Sequence, residues 1–395
     1  MNQCILLLLA GSCAWAQVSP RAAKLHRDAF VFDGHVHVIN RQFHDGSGIG
    51  QRLKGGQVDL PRMLDGGLDA VMFSLFVPEE YYPPRYETRH TLRLIDLAYR
   101  QVEANAGKIA FAYNAAGIAR INRSGRLAAV LDLEGGFDLD GDPAILRDLY
   151  RLGLRMIQLP AHNWGNEFAD SCCAKAKWNG LNDRGRELVR EMNRLGMLIN
   201  ISHASDATID QVLDISSKPV LASHHGLRRR NDIPRNMPDH LLRKLASKGG
   251  VIGFQIGNEF HNRPMFDWRT KNAGKPFWDT AAIGRKESQM TIAQIDQLVA
   301  PHFPMMGVAA PDSVLFSVED WIGVVEEAIS IVGEDHVSLG SDFDGGPTPP
   351  RGMKDIADLP QLTEAMLKRG WTEQRIRKFL GGNLLRVFTE ATAHP

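Results

Sequence analysis

Cysteine is scarce in this 395-residue chain: there are four, and Cys4 and Cys13 fall in the first sixteen residues. The other two, Cys172 and Cys173, are neighbours. No disulfide framework is available, so the fold must rest on its apolar core. Adjacent cysteines form a vicinal disulfide, hold a stray metal or remain two loop thiols. An excess of one charge is also missing, since Lys+Arg and Asp+Glu both number 46. No basic surplus points to nucleic acid, and no charge run points to a polybasic membrane anchor. Local motifs of other enzyme classes are absent too: there is no G-x-S-x-G elbow, no H-E-x-x-H helix and no Walker loop. Gly46, Gly48 and Gly50 follow no strand-to-helix turn of the kind a nucleotide fingerprint needs. What remains, 44% hydrophobic and 23% charged, is a globular composition with ample core. It points inward, to a site.

The first sixteen residues read as an export signal. Ile5 to Ala10 is an apolar run too short to span a bilayer. The small residues of Ala14-Trp15-Ala16 before Gln17 form a cleavage pattern. The n-region lacks Lys or Arg, and Ala10-Gly11-Ser12 before Cys13 matches a lipoprotein signal poorly. No second long apolar stretch follows, and the tail TEATAHP is no hydrophobic anchor. The expectation is a soluble, exported protein, periplasmic or secreted, with a signal over 1–16 and one domain over 17–395.

A unit recurs through that domain: a helical pattern, a Gly near its end, then a short apolar strand. ILRDLYRLG runs into LRMIQLP, RELVREMNRLG into MLINIS, HLLRKLASKGG into VIGFQIG, and WIGVVEEAISIVGEDH into VSLGSDF. Gly153, Gly196, Gly249 and Gly333 suit helix C-terminal positions. The strands are continuously apolar, as parallel strands buried on both faces are. Eight are expected, near 30–38, 68–77, 128–134, 154–159, 197–202, 219–224, 250–256 and 336–342. That count predicts a (β/α)8 TIM barrel. Two stretches break the rhythm. Residues 78–88 (PEEYYPPRYET) read as a loop over the barrel mouth. Residues 257–317 read as an insertion with one helical piece near Thr291–Val299, forming part of a lid.

Five strand ends carry metal-ligand types: His35 and His37, Glu134, His203, His224, and Asp342. An open sheet gathers its site at one switch point; only a closed ring brings five spread ends together. His35 and His37, two apart, share a face, and Asp33 shares it one step earlier. Glu134 and Asp342 end apolar runs, where a carboxylate is costly to bury unless paired or coordinated. The glycines after Glu134 are expected to leave room for an ion. His44, His90, His240, His261, His302 and His394 read as solvated, and His225 as a neighbour of the ligands that points away from them.

GHVHV, LEGG, LPAHNWGNEFADS, ISHAS, SHH, RNMPD, GSDFDG and NLLRVF together resemble the membrane (renal-type) dipeptidases, peptidase family M19, from about residue 30 to 390. The resemblance implies two Zn2+ ions per chain and cleavage of dipeptides, sometimes with a D-residue on the carboxyl side. His35, His37 and Asp342 would hold one ion, Glu134 would bridge, and His203 and His224 would hold the second. His162 falls where the family stabilises a tetrahedral intermediate, and Arg235 where it meets the substrate. A homodimer and a bacterial cell-envelope setting are implied as well. One departure stands out: the family's first motif is H-x-D, and His37 replaces that Asp, keeping a ligand but removing a negative charge.

The chemistry expected of such a site is attack by a metal-activated hydroxide. Asp342 would pass the proton to the leaving amine, and His162 would support the oxyanion. Other readings of the same ligands are a barrel amidohydrolase acting on N-acyl amino acids or cyclic amides, a barrel phosphoesterase, and a non-catalytic metal-binding homologue.

Overall fold

The computed structural model describes residues 18–136, 141–160, 162–277, 279 and 286–393. The expected signal over 1–16 and His394 lie outside the described residues. Nine parallel strands are present among them: β1 (Phe32–Val36), β2 (Ala70–Phe76), β3 (Ile109–Phe111), β4 (Leu127–Glu134), β5 (Leu154–Gln158), β6 (Leu198–Asn200), β7 (Leu221–His225), β8 (Val251–Phe254) and β9 (Val337–Leu339). Eight of them run in the order β1-β2-β4-β5-β6-β7-β8-β9. A bridge between Val36 and Phe343 joins the last to the first. This is the (β/α)8 TIM barrel read from the sequence, and all eight predicted strands are in it.

The short β3 was not foreseen. It pairs with Leu127–Ala129, the first half of β4, while β5 pairs with the second half. It is a splint on the barrel's outer rim rather than a stave of it. The helices are of the expected kind. Asp183–Leu195 buries Leu188, Val189 and Met192 at three- and four-residue spacing; Asn182 caps its start, and Gly196 in the left-handed region closes it.

The barrel interior is layered. Phe32, Met72, Val130, Met156, Leu198, Leu221 and Val251 form an apolar floor against Leu384, Val387 and Phe388 of the closing helix Asn383–Thr392. One step further along the same inward rows the side chains turn polar: Ser74, Asp132, Gln158, Asn200 and Ser223, all buried. Site residues come next, at the carboxyl ends.

Between β8 and β9 the chain makes the predicted excursion. Ile292–Val299 is its expected helix, but Asn258–His261 and Arg263–Ala273 are helical too. The second of these buries only Met265 and Phe266, so it shows too weak an apolar stripe to be read from periodicity. Tyr81 and Arg93 hold Asp296 of this excursion, at 2.6 Å and 2.7 Å, which ties it to the 79–81 turn. Among the described residues no helix is long and apolar enough to cross a membrane.

Candidate metal centre and cavity

The closing hydrogen bonds of the barrel also build the site. His37 N–H donates to Phe343 O at 3.0 Å, and Asp342 N–H donates to His35 O at 2.8 Å. Three candidate residues take backbone conformations disfavoured for side-chain-bearing residues: His162 (φ 46°), His203 (φ 61°) and Asp342 (φ 63°). Strain of this kind collects at functional sites because the surrounding fold over-determines it. The ladder is also irregular where the ligands emerge, between Asp33 and Val36 on β1 and between Ala222 and His225 on β7. Such breaks re-aim side chains. Gly345 has to be glycine: a Cβ there would stand 1.9 Å from Asp342 Oδ1 and 2.6 Å from His37 Cδ2.

Six predicted ligands converge in two groups. In the first, His37 Nε2 lies 3.1 Å from His35 Nε2, 3.0 Å from Glu134 Oε2 and 3.1 Å from Asp342 Oδ1. In the second, His203 Nε2 lies 3.0 Å from His224 Nε2 and 3.0 Å from Glu134 Oε1. Each oxygen of Glu134 therefore serves a different pair of imidazoles. Donors at zinc-ligand distances around one tetrahedral ion stand roughly 3.3–3.6 Å apart; the 3.0–3.1 Å separations here are slightly tighter, so a small outward shift of these side chains would seat an ion in either group. The charges agree. Burial opposes a proton on His35 and His37, yet Glu134, joined by Asp132 at His35 and by Asp342 at His37, pushes their pKa values up to about 10 and about 9. The first group draws positive charge. His203 and His224 are held neutral by burial, with Arg235 adding to the effect, as nitrogen ligands must be.

The polar layer beneath holds these rings. Ser74 Oγ meets His35 Nδ1 at 2.8 Å and donates to Asp132 Oδ2 at 2.8 Å. Ser223 Oγ meets His224 Nδ1 at 2.8 Å, Asn163 Oδ1 meets His203 Nδ1 at 3.0 Å, and Gln255 donates to Asp342 Oδ2 at 3.0 Å. Such contacts set tautomer and ring orientation. None of them was singled out from the sequence. A signal existed for one: Asp132 stands two residues before Glu134 in LDLE, on the same face, and is as costly to bury.

Several expectations change. Asp33 shares the face but reaches no ligand group; its Oδ1 accepts from His35 and Ser341 N–H, and burial raises its pKa to about 6. Gly136 makes room for the Leu159 carbonyl, 2.2 Å from its absent Cβ, rather than for an ion. His90 and His261 are buried, not solvated, because their rings are core material: His90 stacks on Tyr81 at 3.9 Å. His44 is half-buried and stacks on Phe303, whereas His240 and His302 are exposed as expected. His225 is buried and does not line the cavity. Cys172 and Cys173 are joined to each other, and Cys172 N–H donates to His203 O at 2.7 Å.

Above the candidate metal residues lies a cavity of about 750 Å³, lined by His37, Glu134, His162, His203, Arg235 and Asp342 below and by Phe260, Phe277, Phe303 and Met305 of the excursion above. His35 and His224, stacked at 3.9 Å, are buried behind them. His162 hydrogen-bonds Glu79 through Nδ1 and tilts over His203 at 4.2 Å. Burial opposes its protonation, but the Glu79 charge and hydrogen bond outweigh that and raise its pKa. Glu79 was missed in the sequence, hidden in a loop rich in Pro and Tyr. Arg228, Arg229 and Arg230 are ordinary surface pairs with Asp206, Asp239 and Glu327. Arg235 is not: it is 1% exposed, its Nη2 lies 3.0 Å from His203 Nε2 and donates to His224 O at 3.2 Å, and among the described residues its Nε and Nη1 have no hydrogen-bond partner.

The barrel and this donor set together define a metal-dependent hydrolase. The comparisons narrow the class. The family model "Membrane dipeptidase (Peptidase family M19)" matches residues 19–394, and the chain belongs to that family. It is similar to dipeptidase tcpJ of Claviceps purpurea (strain 20.1), 30% identical over 91% of this chain and 76% of that protein. It is also similar to dipeptidase verJ of Clonostachys rogersoniana, 30% identical over 93% of this chain and 85% of that protein. Among solved structures, the probable dipeptidase PvdM of Pseudomonas aeruginosa superposes with TM-score 0.77 at 23% identity, covering 95% of this chain and 100% of that one. A Rhodobacter sphaeroides metallo peptidase liganded with a phosphinate mimic of the dipeptide L-Ala-D-Ala gives 0.72 at 23%, covering 92% and 99%. These two likenesses bear on the fold.

Proposed function

We propose that this dipeptidase-family hydrolase is a two-zinc enzyme that cleaves dipeptides with a free C-terminus, including those with a D-residue there. The division of the two Glu134 oxygens between two imidazole pairs, 3.0 Å on either side, carries the reading, because a bridging carboxylate has a role only if two ions flank it. His35, His37 and Asp342 would hold one ion and His203 and His224 the other. When bound, the two ions supply an acidified water and a polarised carbonyl.

The remaining work belongs to side chains. Asp342, steadied through Oδ2 by Gln255, takes a proton and returns it to the leaving amine. His162, with Nδ1 committed to Glu79, keeps Nε2 as a donor for the developing oxyanion. Arg235 offers its unpaired donors to the substrate carboxylate, a task its planar fork suits. The excursion over the cavity excludes water. Determining metal content against activity tests this reading, and it is taken up in the Discussion.

His37 stands where the family's motif has Asp, and its Nε2 sits among the first group's donors. His37→Asp is expected to retain substantial activity and His37→Ala to lose affinity for one ion, checked by metal content after dialysis. An alanine variant with full metal and full rate would remove His37 from the ligand set.

Residues 1–16 are proposed to be an export signal on the strength of their apolar run and cleavage pattern, with the mature chain starting at Gln17. N-terminal sequencing of protein from the native host checks this, and retained Met1 would refute it. The periplasmic or secreted location rests on that signal, and the homodimer on family resemblance alone.

A further inference from the structure

The cavity holds a second positioned guanidinium that the proposed chemistry does not use. Arg269, on the helix Arg263–Ala273, lines the cavity wall. Its Nη1 donates to Glu259 Oε1 at 2.6 Å and to Gly346 O at 3.4 Å. Glu259 is wholly buried and is fixed in turn by Thr348, whose N–H it accepts at 3.2 Å and whose hydroxyl also donates to it. A buried acid that grips one end of an Arg is a device for aiming the other end. Among the described residues, Arg269 Nε and Nη2 have no hydrogen-bond partner, and the side chain is only 19% exposed. Phe277 lies under its plane, 5.1 Å from the guanidinium carbon.

Its position fits a substrate side chain. Gly346, which it touches, follows Gly345, whose backbone abuts Asp342 and His37. Arg269 thus touches the backbone one residue on from the glycine that abuts the first group. Arg235 lies on the other metal group, against His203. A dipeptide held by its terminal carboxylate at Arg235 leaves Arg269 for a different group. Lys275 lines the same wall and adds a second positive charge. Of the cavity's acids, Glu134 and Asp342 are in the candidate metal groups, Glu79 is on His162, Glu80 is on the 79–81 turn, and Asp279 lies beside Lys275, whose Nζ donates to its backbone carbonyl.

We propose that Arg269 is a specificity-determining residue that receives an anionic side chain of the substrate, so that dipeptides carrying Asp or Glu are preferred to their Asn or Gln counterparts. The inference rests on the dipeptidase reading and names the substrate class for it. A charge-assisted hydrogen bond in a shielded site predicts a preference of about tenfold to a hundredfold, felt mainly in KM.

The test compares kcat/KM of the zinc-loaded enzyme on Ala-Glu against Ala-Gln and on Glu-Ala against Gln-Ala. The acidic member of at least one pair is expected to win by that factor. The double variant Glu259→Gln/Arg269→Met removes the buried pair together, leaving no lone charge, and is expected to bring the ratio near one. Arg269→Lys, which keeps the charge, is expected to retain part of it. A wild-type ratio near one in both pairs overturns the inference and leaves the dipeptidase reading standing. An unchanged ratio in the double variant, or in Arg269→Met should the double fail to fold, overturns it as well. Cleavage of none of the four peptides overturns both.

Discussion

Asp342→Asn is expected to abolish measurable turnover while leaving the fold intact. The carboxylate serves the first metal group through Oδ1, 3.1 Å from His37 Nε2, and is the candidate proton carrier. Loss of a positioned general base alone costs roughly 10²–10⁴-fold, and loss of a ligand adds to that. Asn is the informative replacement. It matches Asp in size, can still accept from Gln255, and tolerates the left-handed backbone at φ 63° better than most residues. Ala would confound chemistry with strain. Kinetics on a zinc-loaded variant, paired with a thermal melt, make the check. Near-normal turnover would remove Asp342 from the mechanism.

Arg235→Ala is expected to lower kcat/KM for a free dipeptide by about tenfold to a hundredfold, the equivalent of roughly 1.5–3 kcal/mol for hydrogen bonds to a charged group. The same peptide with its C-terminus amidated should be a poor substrate already and should lose little more. The asymmetry follows from Nε and Nη1, which are buried at the cavity wall and have no hydrogen-bond partner among the described residues. Equal losses on both substrates would mean that Arg235 acts by holding His203 and the His224 carbonyl. Equal wild-type rates on both would argue against a dipeptidase.

What could be read from the sequence divides along physical lines. The eight staves of the barrel were visible because parallel strands buried on both faces are apolar throughout, and because a Gly follows several of the preceding helices, as Gly153, Gly196, Gly249 and Gly333 do. The six candidate ligands stood out because His, Glu and Asp at the ends of apolar runs have no cheap reason to be there, and the fold brings them together. Arg235 was harder. In sequence it is the last arginine of a basic stretch, and only the fold separates it from Arg228, Arg229 and Arg230, which make surface pairs. Glu79 and Ser74 were beyond reach, since their meaning lies in hydrogen bonds to His162 and His35 across long sequence separations. The short β3 and the helix Arg263–Ala273 escaped for a different reason. One has three residues and the other a weak apolar stripe, so neither carries a period. His90 and His261 were misjudged because an imidazole in a polar-looking segment can still stack into a core, as His90 does on Tyr81.

The central claim is that two ions flank Glu134 and that both are needed. The direct measurement is a titration of chelator-treated protein with Zn2+, following bound metal by elemental analysis and hydrolysis of a free dipeptide in the same samples. The account predicts activity that reaches its plateau at two ions per chain. Full activity at one ion, or activity that survives complete removal of metal, would contradict it.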